Sequence, residues 1–344
     1  MMKNWYLQSD IMTDSTPMKL TFETLRDNCS RILEKYGFNK QQAAQMADVF
    51  TETTFDGVFS HGINRFPRFI RDVKAGTVDA GAQLLQKFSS PAFEQWDGNR
   101  GPGISNALEC TDRAIGLARE NGIGCVALRN TNHWMRGGTY GLRAARNGFL
   151  FMGWTNTIPN MPPWEGKSPA LGNNPFIMGI PYRNGPVVLD MAMSLYSYGK
   201  LEWHQRKGLE LAEYGGYDSL DRLTRNPKEI LQSGRILPAG LWKGSAFALV
   251  LDLAAAILSG GITSREIGAL ESETALSQVF IAVDPRRTLT EDQLEAMVEQ
   301  TLSFQKEMNP GTRFPGQRSA RDRRLNRQQG IEIPDALWEE LMGL

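Results

Sequence analysis

Between residues 104 and 191 helix-period segments and short apolar runs take turns along the chain, and that alternation limits the fold more than any other feature. From Ile104 to Glu120, Leu108, Ile115 and Ala118 are among the apolar residues at helical spacing. Asn121-Gly122 breaks the pattern, and IGCVAL follows as a buried-strand run. A loop, RNTNHWMRGG, leads to a helix around Tyr140 to Arg146 and to the strand-like FLFMGW at 149–154. FIMGIPYRNGPVVLDMA then reads as strand, Asn184-Gly185 turn, strand. QVFIAV at 278–283 adds a later strand, and EDQLEAMVEQTLSF from 291 a helix. Alternation of this kind builds an α/β fold, a sheet covered by helices.

The flanking segments extend the pattern. Thr21 is placed to cap a first helix that stops at Gly37 with Lys35 in its last turn. Asn39 is placed to start a second, with Gln42 at the capping-box position, Ala44, Met46, Val49 and Phe50 turned to a core, and Gly57 as a stop. FALVLDLAAAIL at 247–258 is the most apolar stretch, but it is shorter than the ~20 residues of a membrane span and Asp252 interrupts it. A buried core helix is the expectation, with no membrane partner. Residues 200–240, with Gly215, Gly216 and LPAG at 237–240, read as a long excursion. In the locally basic tail, Arg321, Arg323 and Arg324 read as solvated surface. Residues 1–17, MMKNWYLQSDIMTDSTP, lack a secretory apolar core and read as a flexible leader ahead of Met18.

Composition removes several functions. Lys plus Arg equals Asp plus Glu at 38 each, so no global field draws a polyanion, and nucleic acid is not an expected partner. Cys29, Cys110 and Cys125 lie far apart, which signals neither a disulfide framework nor a zinc site and points to a reducing compartment. His61, His133 and His204 are the three histidines and none is paired at ligand spacing, so no metal is expected.

No dinucleotide fingerprint is present either. Gly122-Ile123-Gly124 precedes its strand and lacks the third glycine, and Trp242-Lys243-Gly244-Ser245 ends like a phosphate loop without the upstream glycines. The chemistry concentrates instead in FSHGINRFPRFI, residues 59–70. His61 can exchange protons near neutrality, Ser60 can hold the imidazole or a substrate, and Arg65 and Arg68 carry forks that suit a carboxylate. If 61–70 is helical, Arg65 sits one turn from His61. A proton donor beside a carboxylate clamp suits reduction of a 2-keto acid. The plainer reading pairs these arginines with Asp56 or Asp72.

His133, in the loop after a strand, either serves a site or braces that loop against Trp134; His204 reads as surface. Asp190 closes the apolar run VVL, where it either orients a histidine or caps a following helix. Asn156, Thr157, Asn173 and Asn174 mark polar loop ends, and Trp164 and Trp242 either wall a flat ligand or pack a core. A serine hydrolase lacks its G-x-S-x-G elbow here. A sugar-acid-binding protein without turnover remains as the non-enzymatic alternative.

These stretches, together with FEQWDGNRGPG, WTNTIPNMPPW, GNNPFIMGIP and ILPAGLWKGS, resemble the malate/L-lactate dehydrogenase family from Met18 to the C-terminus. The resemblance implies a mixed-sheet, non-Rossmann α/β fold of the L-sulfolactate dehydrogenase type. It also implies a cytoplasmic homodimer that interconverts 2-keto and 2-hydroxy acids with NAD. The most similar branch reduces 2,3-diketo-L-gulonate to 3-keto-L-gulonate, preferring NADH over NADPH; malate, lactate and ureidoglycolate types are the alternatives. Carried onto this chain, the family's catalytic positions are His61, Ser60 and Asp190, and the residues' own chemistry sets Arg65, Arg68 and His133 toward substrate beside them. Cofactor contacts fall on Pro186, Val187, Val188, Leu189, Asp190, Met191 and Ala192, on Trp242 and Lys243, and on Gly316, Gln317 and Arg318. The implied organisation is a helical substrate and dimerisation region at 18–120 and a cofactor region at 121–290. Residues 291–344 then return to the first region and complete the cofactor site.

Overall fold

The computed structural model describes residues 18–344, so the expected leader at 1–17 lies outside the described residues. Its centre is a seven-stranded mixed sheet. In spatial order the strands are Leu85–Ser89, Phe93–Asp97, Ile123–Thr131, Leu276–Val283, Leu150–Thr155, Phe176–Ile180 and Val187–Met191. Only Phe93–Asp97 and Ile123–Thr131 run parallel; every other neighbouring pair is antiparallel. The late strand Leu276–Val283 inserts between two early ones, pairing Phe280 with Val126 on one side and Gly153 on the other. Its own sequence carries no mark of that position, since sheet order depends on long-range pairing.

The expected helices form where their caps and apolar spacing place them. Thr21 accepts the Thr24 N–H at the start of Phe22–Lys35, and Gly37 adopts the left-handed backbone after it. Asn39 accepts the Gln42 N–H ahead of Lys40–Phe55, whereas the Gln42 side chain takes the Asn39 amide and leaves the capping box incomplete. Ala43 is fully buried in that helix and Ala44 only partly. Gly103–Asn121 packs against the sheet with Ile104, Ala107, Ala114 and Ala118 inaccessible to solvent.

Two expectations need correction. The helix considered over 61–70 does not form: short 3-10 turns at Phe59–His61 and Ile63–Arg65 precede an α-helix at Phe66–Lys74. The Gly62 backbone (φ −98°, ψ −131°) breaks the first turn from the second. The apolar helix Trp242–Ser259 is only half a core helix. Ala248, Leu251, Ala255 and Ala256 face the sheet, and buried Asp252 accepts the Ser264 N–H and an Asn156 amide hydrogen bond. Leu249, Val250, Leu253 and Ile257 form its outer face, with Ile257 74% exposed. Among the described residues, this is the helix long and apolar enough to cross a membrane. The excursion has local order of its own. Helices Tyr198–Arg206 and Pro227–Ser233 enclose a small cluster that includes Leu201, Leu211 and Ile230.

Candidate active site

His61 occupies the first 3-10 turn, and tight packing explains the serine and glycine around it. A Cβ on Gly62 would lie 2.4 Å from Thr54 Oγ1 and 2.9 Å from the Thr54 backbone nitrogen. The Thr54 hydroxyl itself accepts the Ile63 N–H at 2.8 Å, which pins the turn to the preceding helix. Ser60 Oγ lies 3.0 Å from His61 Nδ1. From above, the Tyr198–Arg206 helix lays Gly199 so near Ser60 that a Cβ there would fall 2.5 Å from Ser60 Cβ. The excursion therefore roofs this turn, a contact invisible in the local sequence.

The His133 ring stacks with His61 at 5.9 Å between centroids and 22° between planes. Its Nδ1 accepts the Met135 N–H at 2.9 Å, so in the neutral ring the proton sits on Nε2. His133 thus does brace its loop, yet it also lines a cavity of about 180 Å³ with Arg65, Arg68, Asp72 and Glu273. The larger depression, about 500 Å³, lies at the start of the Glu291–Met308 helix, away from these histidines, and its lining from Arg286 to Gln293 offers no proton donor suited to neutral pH. Arg65 stands 3.9 Å from Glu273, and Arg68 faces Asp72 on the same helix. Asp72 is the partner the plainer reading named. Asp56 is not, because Arg136 and Arg323 occupy it.

Electrostatics set both imidazoles neutral. Burial pulls His61 down to about 4; Asp190 pushes it upward, while Arg65 and Arg136 depress it further. Burial likewise holds His133 well below its ordinary value, helped by Arg65, His61 and Arg68. Asp190 acts on His61 through charge alone, since among the described residues no hydrogen bond joins them. Its Oδ2 accepts the Gly138 N–H at 2.8 Å and lies 3.9 Å from Arg136 Nε. It caps a helix after all, but the one at Gly138–Arg146, 52 residues earlier in sequence.

The three stretches proposed for a cofactor converge around one strand. Val188 N–H donates to the Pro315 carbonyl at 3.1 Å, and Gly316 (φ +89°) is close enough that a Cβ would meet Val188 N at 3.2 Å. Ala239 N–H donates to the Met193 carbonyl, which carries Trp242 and Lys243 to the end of the same strand. Trp242 is 61% exposed, which rules out the core role considered for it. Arg318 is turned outward, paired with Asp322 at 3.3 Å. The exposed Lys243 cation and the cleared backbone at Gly316 are features a phosphate-bearing nucleotide uses.

Sequence reasoning missed a buried charge chain beneath the site. Asp56, 2% exposed, receives Arg136 on one side and a two-pronged Arg323 at 2.5 and 2.6 Å on the other. Arg323 is therefore not solvated surface: its partner is 267 residues away, and no local signal could have found it. The polar loop ends have structural duties, Asn174 accepting the Thr157 N–H at 2.9 Å and Asn156 accepting that of Ser277 at 2.7 Å.

Residues 20–342 match the malate/L-lactate dehydrogenase family. The chain belongs to that family. It is 41% identical to 2,3-diketo-L-gulonate reductase from Citrobacter koseri across 95% of this chain and all of the relative, and 40% identical to the protein of the same name from Klebsiella pneumoniae over the same shares. Among solved structures it is similar to sulfolactate dehydrogenase from Methanocaldococcus jannaschii (TM-score 0.87, 30% identity, 94% of this chain and 95% of that one). It is also similar to delta1-piperideine-2-carboxylate reductase from Pseudomonas syringae (TM-score 0.86, 27% identity, 95% and 99%). Membership makes this malate/L-lactate dehydrogenase family protein an oxidoreductase of the CH–OH/C=O couple on the expected mixed-sheet fold.

Proposed function

We propose that the protein reduces 2,3-diketo-L-gulonate to 3-keto-L-gulonate, with NADH preferred and NADPH accepted less well. The observation that carries this reading is the placement of His61. On one side it has the Arg65, Arg68 and His133 cavity; on the other it feels the charge of Asp190, on the strand where Gly316 and Lys243 converge. The names of the relatives at about 40% identity over 95% of the chain support the substrate.

When bound, the nicotinamide supplies hydride to the C2 carbonyl. Arg65 holds the C1 carboxylate, Arg68 assists, and Ser60 fixes the His61 ring. His61 gives the proton that turns the carbonyl oxygen into a hydroxyl. An imidazole held near pH 4 carries no proton to give at neutrality; burial is the main cause, and Arg65 adds a smaller part that a bound carboxylate removes. Arg65 depresses His61, so a carboxylate that neutralises Arg65 raises the ring's affinity for a proton as the substrate arrives. Asp190 favours the resulting imidazolium. His133 donates from Nε2 to a substrate oxygen. Pro186 to Ala192, Trp242, Lys243 and Gly316 to Arg318 hold the nucleotide, with Lys243 toward phosphate. In this scheme 18–120 supplies the acid and clamp, 121–290 the nucleotide surface, and 291–344 its closure.

A homodimer in a reducing cytoplasm belongs to the same proposal. The free thiols of Cys29, Cys110 and Cys125 suit that compartment, and the apolar surface offered to a second copy is the outer face of Trp242–Ser259, in place of the 18–120 region the resemblance implied. Light scattering would show twice the chain mass; a monomer, or binding to neutral lipid vesicles, would reject it.

The test of function follows absorbance at 340 nm with NADH or NADPH and diketogulonate, pyruvate or oxaloacetate. Fast oxidation with diketogulonate is expected, and a His61→Asn protein should lose turnover while still quenching on NADH. Undiminished turnover in that variant would remove His61 from the role of acid. Consumption only with pyruvate or oxaloacetate would transfer the reading to a lactate or malate type.

A further inference from the structure

No step of the reduction employs Arg136, yet its charge reaches His61, and the backbone is strained to put it where it lies. Met135, 4% exposed, adopts φ +64°, a left-handed conformation that residues with a side chain rarely take. On one side of that bend the Met135 N–H fixes His133 over His61. On the other, two glycines press the chain after Arg136 onto the sheet. A Cβ on Gly137 would fall 2.5 Å from Ile177 Cδ1, and one on Gly138 would fall 2.8 Å from Asp190 Oδ2. The guanidinium is thereby delivered between two carboxylates. It donates to Asp56 Oδ2, while its Nε stops 3.9 Å from Asp190 Oδ2, beyond hydrogen-bond reach. Asp56 is also held by both prongs of Arg323, so Arg323, Asp56, Arg136 and Asp190 alternate in sign along one chain. Among the described residues the Asp190 carboxylate accepts one hydrogen bond, from the Gly138 N–H, and its charge is otherwise unspent.

We propose that Arg136 is a positioning residue for the reduction: anchored on Asp56 it leaves the charge of Asp190 to His61, and without that anchor it closes on Asp190 and takes the charge for itself. Two carboxylates compete for one guanidinium, and the drier pair is the stronger. Arg136 is 11% exposed and Asp56 1%, against 29% for Asp190, so the anchoring pair is the less screened of the two. The other charged or titratable groups around the ring do not supply a counter-charge. Arg65 on the next turn and His133 on the loop are cationic or neutral, and Glu273 and Asp72 face Arg65 and Arg68. The roofing helix brings Tyr198, whose hydroxyl donates to the Asn160 carbonyl, and Lys200, which lies over the Tyr196 ring. Asp190 alone raises the proton affinity of His61, so its allocation decides whether an imidazolium is supported there. Burial is the larger influence, and Arg136 acts on top of it, directly and through Asp190.

The inference rests on His61 as the acid, and a readout without substrate separates the two. The three histidines give three signals in protein labelled with carbon-13 at histidine Cε1, and the signal lost in His61→Asn identifies that ring. The full chain and its Arg136→Gln, Arg136→Lys and Asp56→Asn variants are titrated, and kcat with NADH and diketogulonate is followed against pH on the same preparations. Arg136→Gln leaves Asp56 paired with Arg323, and it should move the His61 midpoint up by about half a pH unit or more, the scale on which a nearby unit charge acts. Asp56→Asn should move the midpoint down, and Arg136→Lys, which keeps the charge, should stay with the parent. The alkaline fall of kcat, which reports the acid in the substrate complex, should follow the same order. An arginine with only a structural duty would lower the melting temperature without ordering the midpoints. Midpoints that coincide in the folded variants overturn the proposal and leave reduction at His61 intact, and an alkaline limb that ignores the midpoints overturns it too. A parent that reduces no keto acid overturns reduction at His61, and the role of Arg136 in it, whatever the midpoints.

Discussion

Replacing Asp56 with Asn tests whether the charge chain under the site is held by ionic pairing in a dry environment. The substitution conserves volume and one acceptor but removes the negative charge shared by Arg136 and Arg323. Those side chains are only 11% and 18% exposed, and the Asp56 side chain 1%, so water cannot replace the lost partner fully. Breaking a buried pair by removing one member costs about 3–5 kcal/mol, and the retained amide oxygen places this case near 3. For 344 residues the entropy of unfolding is about 0.7 kcal/mol per kelvin, so the melting temperature should fall by about 4 °C. Calorimetry reads this directly. Arg321→Ala is the control: Arg321 is 55% exposed and its pair with Asp322 should contribute less than about 1 °C. A second consequence follows from connectivity. Arg323 and Asn326, whose amide donates to the Phe55 carbonyl at 2.8 Å, tie the Gln317–Gln329 helix to the end of Lys40–Phe55. Loosening that tie shifts Gly316 beside Val188, so KM for NADH should rise more than KM for the keto acid. A fall in melting temperature below about 1 °C, equal to the control, would refute the assignment of Asp56 as a desolvated hub.

Gly62→Ala should destabilise the protein by about 2–3 kcal/mol and reduce turnover more than tenfold, because the added methyl has backbone as well as a hydroxyl in its way; wild-type kinetics in that variant would show the turn is free to yield. His61 is held near 4 against 6.5, so below pH 6.5 the unfolded chain binds more protons than the native one. Stability is therefore fully present above pH ~6.5 and declines as pH falls toward ~4, by at most about 3 kcal/mol from this group. Denaturant titrations across that window should show the loss, and His61→Asn should flatten it. Leu241 adopts φ +59° and ψ −116°, a conformation only glycine takes without strain, and it is 43% exposed. Leu241→Gly should raise the melting temperature by about 1 °C or more, unless Trp242 and Lys243 shift with it, which a rise in NADH KM would reveal.

Much of this protein is written locally. Thr21, Asn39 and Gly37 bound the first helices and the apolar spacing at 104–120 picks the face that meets the sheet, whereas the expected Asn184-Gly185 turn is the second half of a longer connection, with the Gly185 N–H donating to the Tyr182 carbonyl. Caps and periodicity are legible because they act within a few residues. The SHG turn, too, announces a histidine held tightly beside arginines. Tertiary structure decided the rest. It placed Leu276–Val283 in mid-sheet, gave Asp56 to Arg136 and Arg323 instead of its sequence neighbours, and brought Gly199 down on Ser60. It also left one side of an apolar helix bare and made His61 neutral. Those outcomes depend on which distant groups exclude water from one another, and desolvation, unlike a cap or a turn, is a property of the assembled volume and not of any stretch of chain.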